Sequence, residues 1–97
     1  MKIQIRLFTE RGDLLNEGTF GALWATSTVE GMAIILGMVE EAFQATKGKR
    51  IWLVVRDECG VHLGSETLSR GSTSTKEGTS AIIDFIGSAI RNVKEGL

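Results

Sequence analysis

Two stretches of this chain, TSTVEG at 26–31 and TSTKEG at 73–78, agree at five of six positions and lie 47 residues apart. At that shift the identities are Thr26/Thr73, Ser27/Ser74, Thr28/Thr75, Glu30/Glu77, Gly31/Gly78, Ile35/Ile82, Ala42/Ala89 and Lys47/Lys94. Unlike letters keep their apolar character at Leu36/Ile83, Met38/Phe85, Val39/Ile86 and Phe43/Ile90. Further upstream, a shift of 48 brings Ile3, Ile5 and Leu7 onto Ile51, Leu53 and Val55, and Gly12, Leu15, Thr19 and Phe20 onto Gly60, Leu63, Thr67 and Leu68. A one-residue difference in length between these blocks reconciles the two shifts. Two copies are too few for a stacked solenoid. The expectation is one domain of two related halves, about 2–48 and 50–96, closed on itself.

The pattern within each half gives the unit. KIQIRLF alternates Ile3, Ile5 and Leu7 with Lys2, Gln4 and Arg6, and RIWLVV alternates Ile51, Leu53 and Val55 with Trp52 and Val54. Period two with branched side chains predicts a strand. Gly12 and Gly60 then supply the positive φ of a tight hairpin, and a second strand follows over 14–20 and 61–68. Ser27 and Ser74 stand three residues before Glu30 and Glu77. That spacing is a capping box at a helix start, in which each serine cap contributes about 1 kcal/mol. Helices are expected over 29–46 and 76–94. Their apolar stripes are Met32, Ile35, Leu36, Val39, Phe43 and Thr46 in one, and Thr79, Ile82, Ile83, Ile86, Ile90 and Val93 in the other. Gly37 and Gly87 interrupt them at a cost of about 1 kcal/mol each, and Gly96 is expected just past the second helix. The predicted architecture is therefore α+β, a two-layer sandwich of order ββαββα with a four-stranded, mainly antiparallel sheet and both helices on one face. A circularly permuted ferredoxin-like βαββαβ arrangement shares that element order, an analogy of fold that fixes no function.

Composition narrows the functional classes. Eleven basic residues face twelve acidic ones, so no global field points to nucleic acid or an anionic membrane. The lone Cys59 excludes an intrachain disulfide and fits a reducing, cytoplasmic setting. The opening MKIQIRLF is too charged for a secretory signal, and no run reaches the ~18 apolar residues of a membrane span.

Catalytic patterns are weak. His62 has no partners at metal-ligand spacing. Cys59 follows Asp57 and Glu58, which disfavour a thiolate. The carboxylates Glu10, Asp13, Asp57 and Glu58 fall in turns, and Glu40 and Glu41 late on a helix, with no acid–base pairing. The expectation is a non-enzymatic protein without cofactor or metal.

Three surfaces remain as candidates. The Gly/Ser/Thr-rich loop before the second helix, with Arg70, Ser72, Thr73 and Lys76, has the character of a phosphate cradle but lacks P-loop spacing. The outward sheet face carries Lys2, Gln4, Arg6, Trp52 and Val54, which suits a protein contact or single-stranded nucleic acid. A second apolar row on the helices, Ile34 and Met38 with Ala81 and Phe85, is either a widened core stripe or a partner surface. Together these predict a small macromolecule-binding protein. Its leading form is a protein-interaction, inhibitor or regulatory module of bacterial or phage type, self-associating as a homodimer or capturing a protein partner. Nucleic-acid binding through Lys2, Arg6 and Trp52, or small-ligand binding at the 69–76 loop, is the alternative.

Overall fold

The computed structural model describes the backbone of residues 1–95 and side chains through Asn92; the Val93 side chain and the expected helix stop at Gly96 lie outside the described residues. A hairpin of β1 (Lys2–Thr9) and β2 (Leu14–Gly21) leads into a short helix, α1 (Ala22–Ser27), and then α2 (Val29–Ala45). A second hairpin, β3 (Arg50–Asp57) and β4 (His62–Ser69), leads into α3 (Lys76–Glu95). The four strands form one sheet in the order β2-β1-β3-β4, antiparallel throughout. The predicted ββαββα sandwich is thus the observed architecture, with α1 as an addition. The permuted ferredoxin-like analogy holds for element order alone, because that permutation would place β2 and β4 in the centre of the sheet.

The two halves meet through their first strands. Ile5 pairs with Val55, Arg6 with Val54 and Leu7 with Leu53. Arg6 and Val54 are equivalent at a shift of 48 and stand directly opposite each other, so a pseudo-twofold axis passes through the sheet between them. The hairpins repeat in detail. Gly12 and Gly60 have φ of 96° and 85°, and their N–H groups donate to the carbonyls of Thr9 and Asp57 at 2.9 and 3.1 Å. The register shifts at Leu7/Phe8 in one copy and at Val55/Arg56 in the other. This shared bulge leaves Leu15 and Leu63 packed against the core.

The core is a single cluster between sheet and helices. Ile3, Ile5, Leu7, Ile51, Leu53 and Val55 are fully buried from the sheet, with Ile35 and Val39 from α2 and Ile82 and Ile86 from α3. Met38 belongs to this cluster at 8% exposure, and Phe85 packs against it. Of the second apolar row, these two widen the core, covering the outer strands at Gly18 and Gly64. Ile34 and Ala81 stay exposed. The physical reason is width: two helices must cover four strands, so each buries a broader stripe than an i, i+3, i+4 count gives. Met32 and Leu36, expected deep in the stripe, are half-buried.

The helix starts also need correction. Thr28, not Ser27, caps α2: its Oγ1 accepts the Gly31 N–H at 3.0 Å. Thr75 does the same for Gly78 at 3.0 Å. Glycine at these positions is set by close approach. A Cβ on Gly31 would strike the Trp24 carbonyl, and one on Gly78 the Ser72 carbonyl. The chain from Trp24 to Thr28 is one residue longer than from Ser72 to Thr75, which places the length difference between the halves. The longer copy coils into α1, whose Trp24 ring stacks on Phe20 with centroids 6.1 Å apart.

Urea unfolding separates these roles. Thr28→Ala and Thr75→Ala are each expected to lower stability by about 1 kcal/mol, whereas Ser27→Ala and Ser74→Ala change it little. Gly31→Ala is expected to cost about 1–3 kcal/mol through overpacking. Gly37→Ala, whose new methyl meets nothing within 4 Å, should stabilise the helix by roughly 0.5–1 kcal/mol.

Candidate binding surface on the free sheet face

Helices cover one side of the sheet, so alternation sends every second strand residue to the other side. Register assembles that face in rows. Thr19, Gln4, Arg56 and His62 form one row; Glu17, Arg6, Val54 and Ser65 the next; Leu14, Phe8, Trp52 and Thr67 the third. Arg50, beside Ser69, extends the third row's end of the sheet. Gln4, Arg6, Trp52 and Val54 therefore come together as expected from the sequence, joined by Lys2 at the margin.

Phe8 is the functional candidate that sequence patterning did not single out. It sits directly opposite Trp52 on the neighbouring central strand. The signal is present in the sequence, since Phe8 continues the outward series of Lys2, Gln4 and Arg6, one position past the last core residue, Leu7. Trp52 is 50% exposed and Leu14 45%. Arg6 lies 5.1 Å over the Phe8 ring and its Nε donates to Glu17 Oε2 at 3.2 Å. A cation over an aromatic ring at an exposed site contributes about 0.5–1 kcal/mol, so Phe8 and Arg6 hold each other in place. Charge on this face is lopsided: Lys2, Arg6, Arg50 and Arg56 against Glu17. Of the acidic residues, Glu30, Glu40, Glu41, Glu77 and Asp84 lie on the helices, on the other layer from this face, together with Lys76 and Arg91.

The loop before α3 is built differently from a phosphate cradle. Arg70 Nη2 donates to the carbonyls of Thr46 and Gly48 at 2.8 and 2.7 Å, and its guanidinium lies 5.3 Å from the Phe43 ring centroid. Ser72 Oγ is buried without a hydrogen-bond partner, Thr73 is half-buried, and Lys76 is exposed. Arg70 thus faces the α2–β3 loop, and the four residues do not converge on one site.

His62 and Cys59 are both exposed, the cysteine in the β3–β4 turn, where its N–H donates to Asp57 Oδ1 at 2.8 Å. Among the described residues no group of three or more His, Cys, Asp or Glu side chains is arranged to hold a metal, and no helix is long and apolar enough to cross a membrane. On the helix side, an open groove of about 510 Å³ runs between α2 and α3, lined by Met32, Leu36 and Ile83 among others. Leu23 and Val29 beside it are each 76% exposed. Comparison with protein-family models, curated proteins and solved structures finds no match, so the functional reading rests on this geometry.

Proposed function

We propose that this protein is a non-enzymatic binding module that holds single-stranded nucleic acid on the free face of its sheet. The observation that carries this reading is the Phe8–Trp52 pair on the two central strands, flanked by Arg6 and Arg50, with Arg56 two rows further along the same face. An exposed ring on a four-stranded sheet offers a stacking platform for a base, and every base has a face to stack. Arginines around it meet the phosphates that a stacked strand must carry. The backbone of a central strand is fully paired within the sheet, so recognition falls to side chains, which suits sequence-tolerant binding. Phe8 reverses the order of the two expectations: with Trp52 alone the face suits a protein contact better, and with a second aromatic and a local basic excess it suits a polyanion with planar groups.

A second reading, a protein contact that includes self-association, rests on the helix-side groove and the exposure of Leu23 and Val29. It retains the interaction-module expectation and places its surface on the opposite layer from Trp52.

Fluorescence anisotropy with a short labelled single strand tests the first reading. Trp52→Ala is expected to weaken binding by about 1–3 kcal/mol, the loss of one stacked base, and to lower fold stability by a smaller amount, roughly 0.2–1 kcal/mol, through its lost cross-strand contacts with Phe8 and Thr67. Duplex of the same sequence should bind more weakly. Wild-type affinity insensitive to Trp52 would exclude the platform. For the second reading, sedimentation of Leu23→Asp and Val29→Asp is decisive: a dimer that persists in both removes it.

A further inference from the structure

We infer that the loop Lys47-Gly48-Lys49, between α2 and β3, forms with Arg50 at the start of β3 a phosphate-binding rim of the sheet face, and that the main role of Arg70 is to shape this loop. The inference rests on the nucleic-acid reading above and adds where the backbone of the strand runs.

The loop is braced from one side. Arg70 reaches it from the end of β4, where its Nη2 donates to the Thr46 and Gly48 carbonyls at 2.8 and 2.7 Å and its Nε to the Gly48 carbonyl at 3.2 Å. The Arg70 N–H also donates to the Lys49 carbonyl at 2.7 Å. A cation at carbonyls following a helix C-terminus is electrostatically favoured, and Phe43 supports the guanidinium from below. Arginine's fixed fork matches two carbonyls as lysine's point charge does not.

Bracing the backbone leaves the loop's side chains turned outward. Lys47, Lys49 and Arg50 are all exposed. Arg50 lies between two hollows, one of about 640 Å³ shared with Lys47 and Arg11, the other of about 400 Å³ shared with Lys49, Ser69 and Arg70, whose Nε and Nη2 are already committed to the loop carbonyls. Two carboxylates are close. Glu10 Oε2 is 3.7 Å from Arg50, a loose pair, and Asp13 is engaged by Thr9 Oγ1 within the β1–β2 turn. Four ligand-accessible cations against two carboxylates leave a local positive excess in a chain of net charge −1. Arg50 also shares its sheet face with Trp52, two residues along β3. At ~3.3 Å per residue that is roughly 7 Å, so a base stacked on Trp52 brings its own phosphodiester within reach of Arg50 and the loop.

Anisotropy titrations of a labelled single-stranded oligonucleotide over a range of salt test this. Lys47→Ala/Lys49→Ala is expected to reduce the slope of log affinity against log salt, by ~0.7 for each phosphate no longer neutralised, while Trp52 fluorescence, read in a Trp24→Phe background, is still quenched on binding. Trp52→Ala should do the reverse, weakening affinity with the slope retained. Arg70→Ala should weaken binding, add little further loss on top of the Lys47/Lys49 variant, and not be rescued by Arg70→Lys. An unchanged slope in the Lys47/Lys49 variant, with Trp52-dependent binding intact, overturns the rim and leaves the platform standing. Additive losses, or full rescue by Arg70→Lys, overturn the positioning role of Arg70. Equal competition by polyglutamate overturns the rim as a nucleic-acid contact, and failure of the wild-type protein to bind any oligonucleotide overturns both rim and platform.

Discussion

Pairing of β1 with β3 is the contact on which the rest of the molecule depends. It joins the two hairpins into one sheet and lines up Ile3, Ile5 and Leu7 with Ile51, Leu53 and Val55 on a single face, all fully buried. Neither hairpin has a second layer wide enough to be stable alone. Joined, they present a four-strand apolar surface that both amphipathic helices can cover. The register is fixed by burial, because a slip of β3 by one residue against β1 would turn Ile51, Leu53 and Val55 into water.

The same pairing explains why the molecule is symmetric inside and asymmetric outside. Positions facing the helices share one interior, so equivalent pairs such as Ile3/Ile51 and Ile5/Leu53 stay large and apolar. Positions facing away carry no such constraint. Gln4 is matched with Trp52, Arg6 with Val54 and Phe8 with Arg56, so the symmetry axis that organises the core crosses a face whose chemistry does not repeat. The aromatic pair arises from non-equivalent positions, Phe8 and Trp52, that an antiparallel register happens to bring opposite each other. A repeated fold has produced a single surface of mixed aromatic and basic character.

Close backbone packing sets the helix starts. Gly31 and Gly78 sit where the preceding chain lays a carbonyl against the first helical turn, and the threonine caps follow from that geometry. The motif S-x-x-E marks the right place but points to the wrong hydroxyl by one residue, since T-S-T offers three adjacent hydroxyls and sequence spacing cannot tell which one has extended φ and ψ. A similar limit applies to Arg70. Its position in a Gly/Ser/Thr-rich loop suggests an anion ligand, whereas three-dimensional proximity to the Thr46 and Gly48 carbonyls assigns it a bracing role. Met38 is ambiguous in the sequence for the opposite reason: its burial depends on how far α2 overhangs β2.

The order of amino acids is enough to dictate the duplicated unit, the alternation of the strands, the two glycine turns and the two long helices, because these follow from local periodicity and backbone preference. Strand order, helix-start geometry, the extra turn of α1 and the meeting of Phe8 with Trp52 beside a braced basic loop emerge only in three dimensions. Those features are set by contacts between residues distant in the chain, and hydrophobic pattern along one strand carries no information about which residue will stand opposite it on the next.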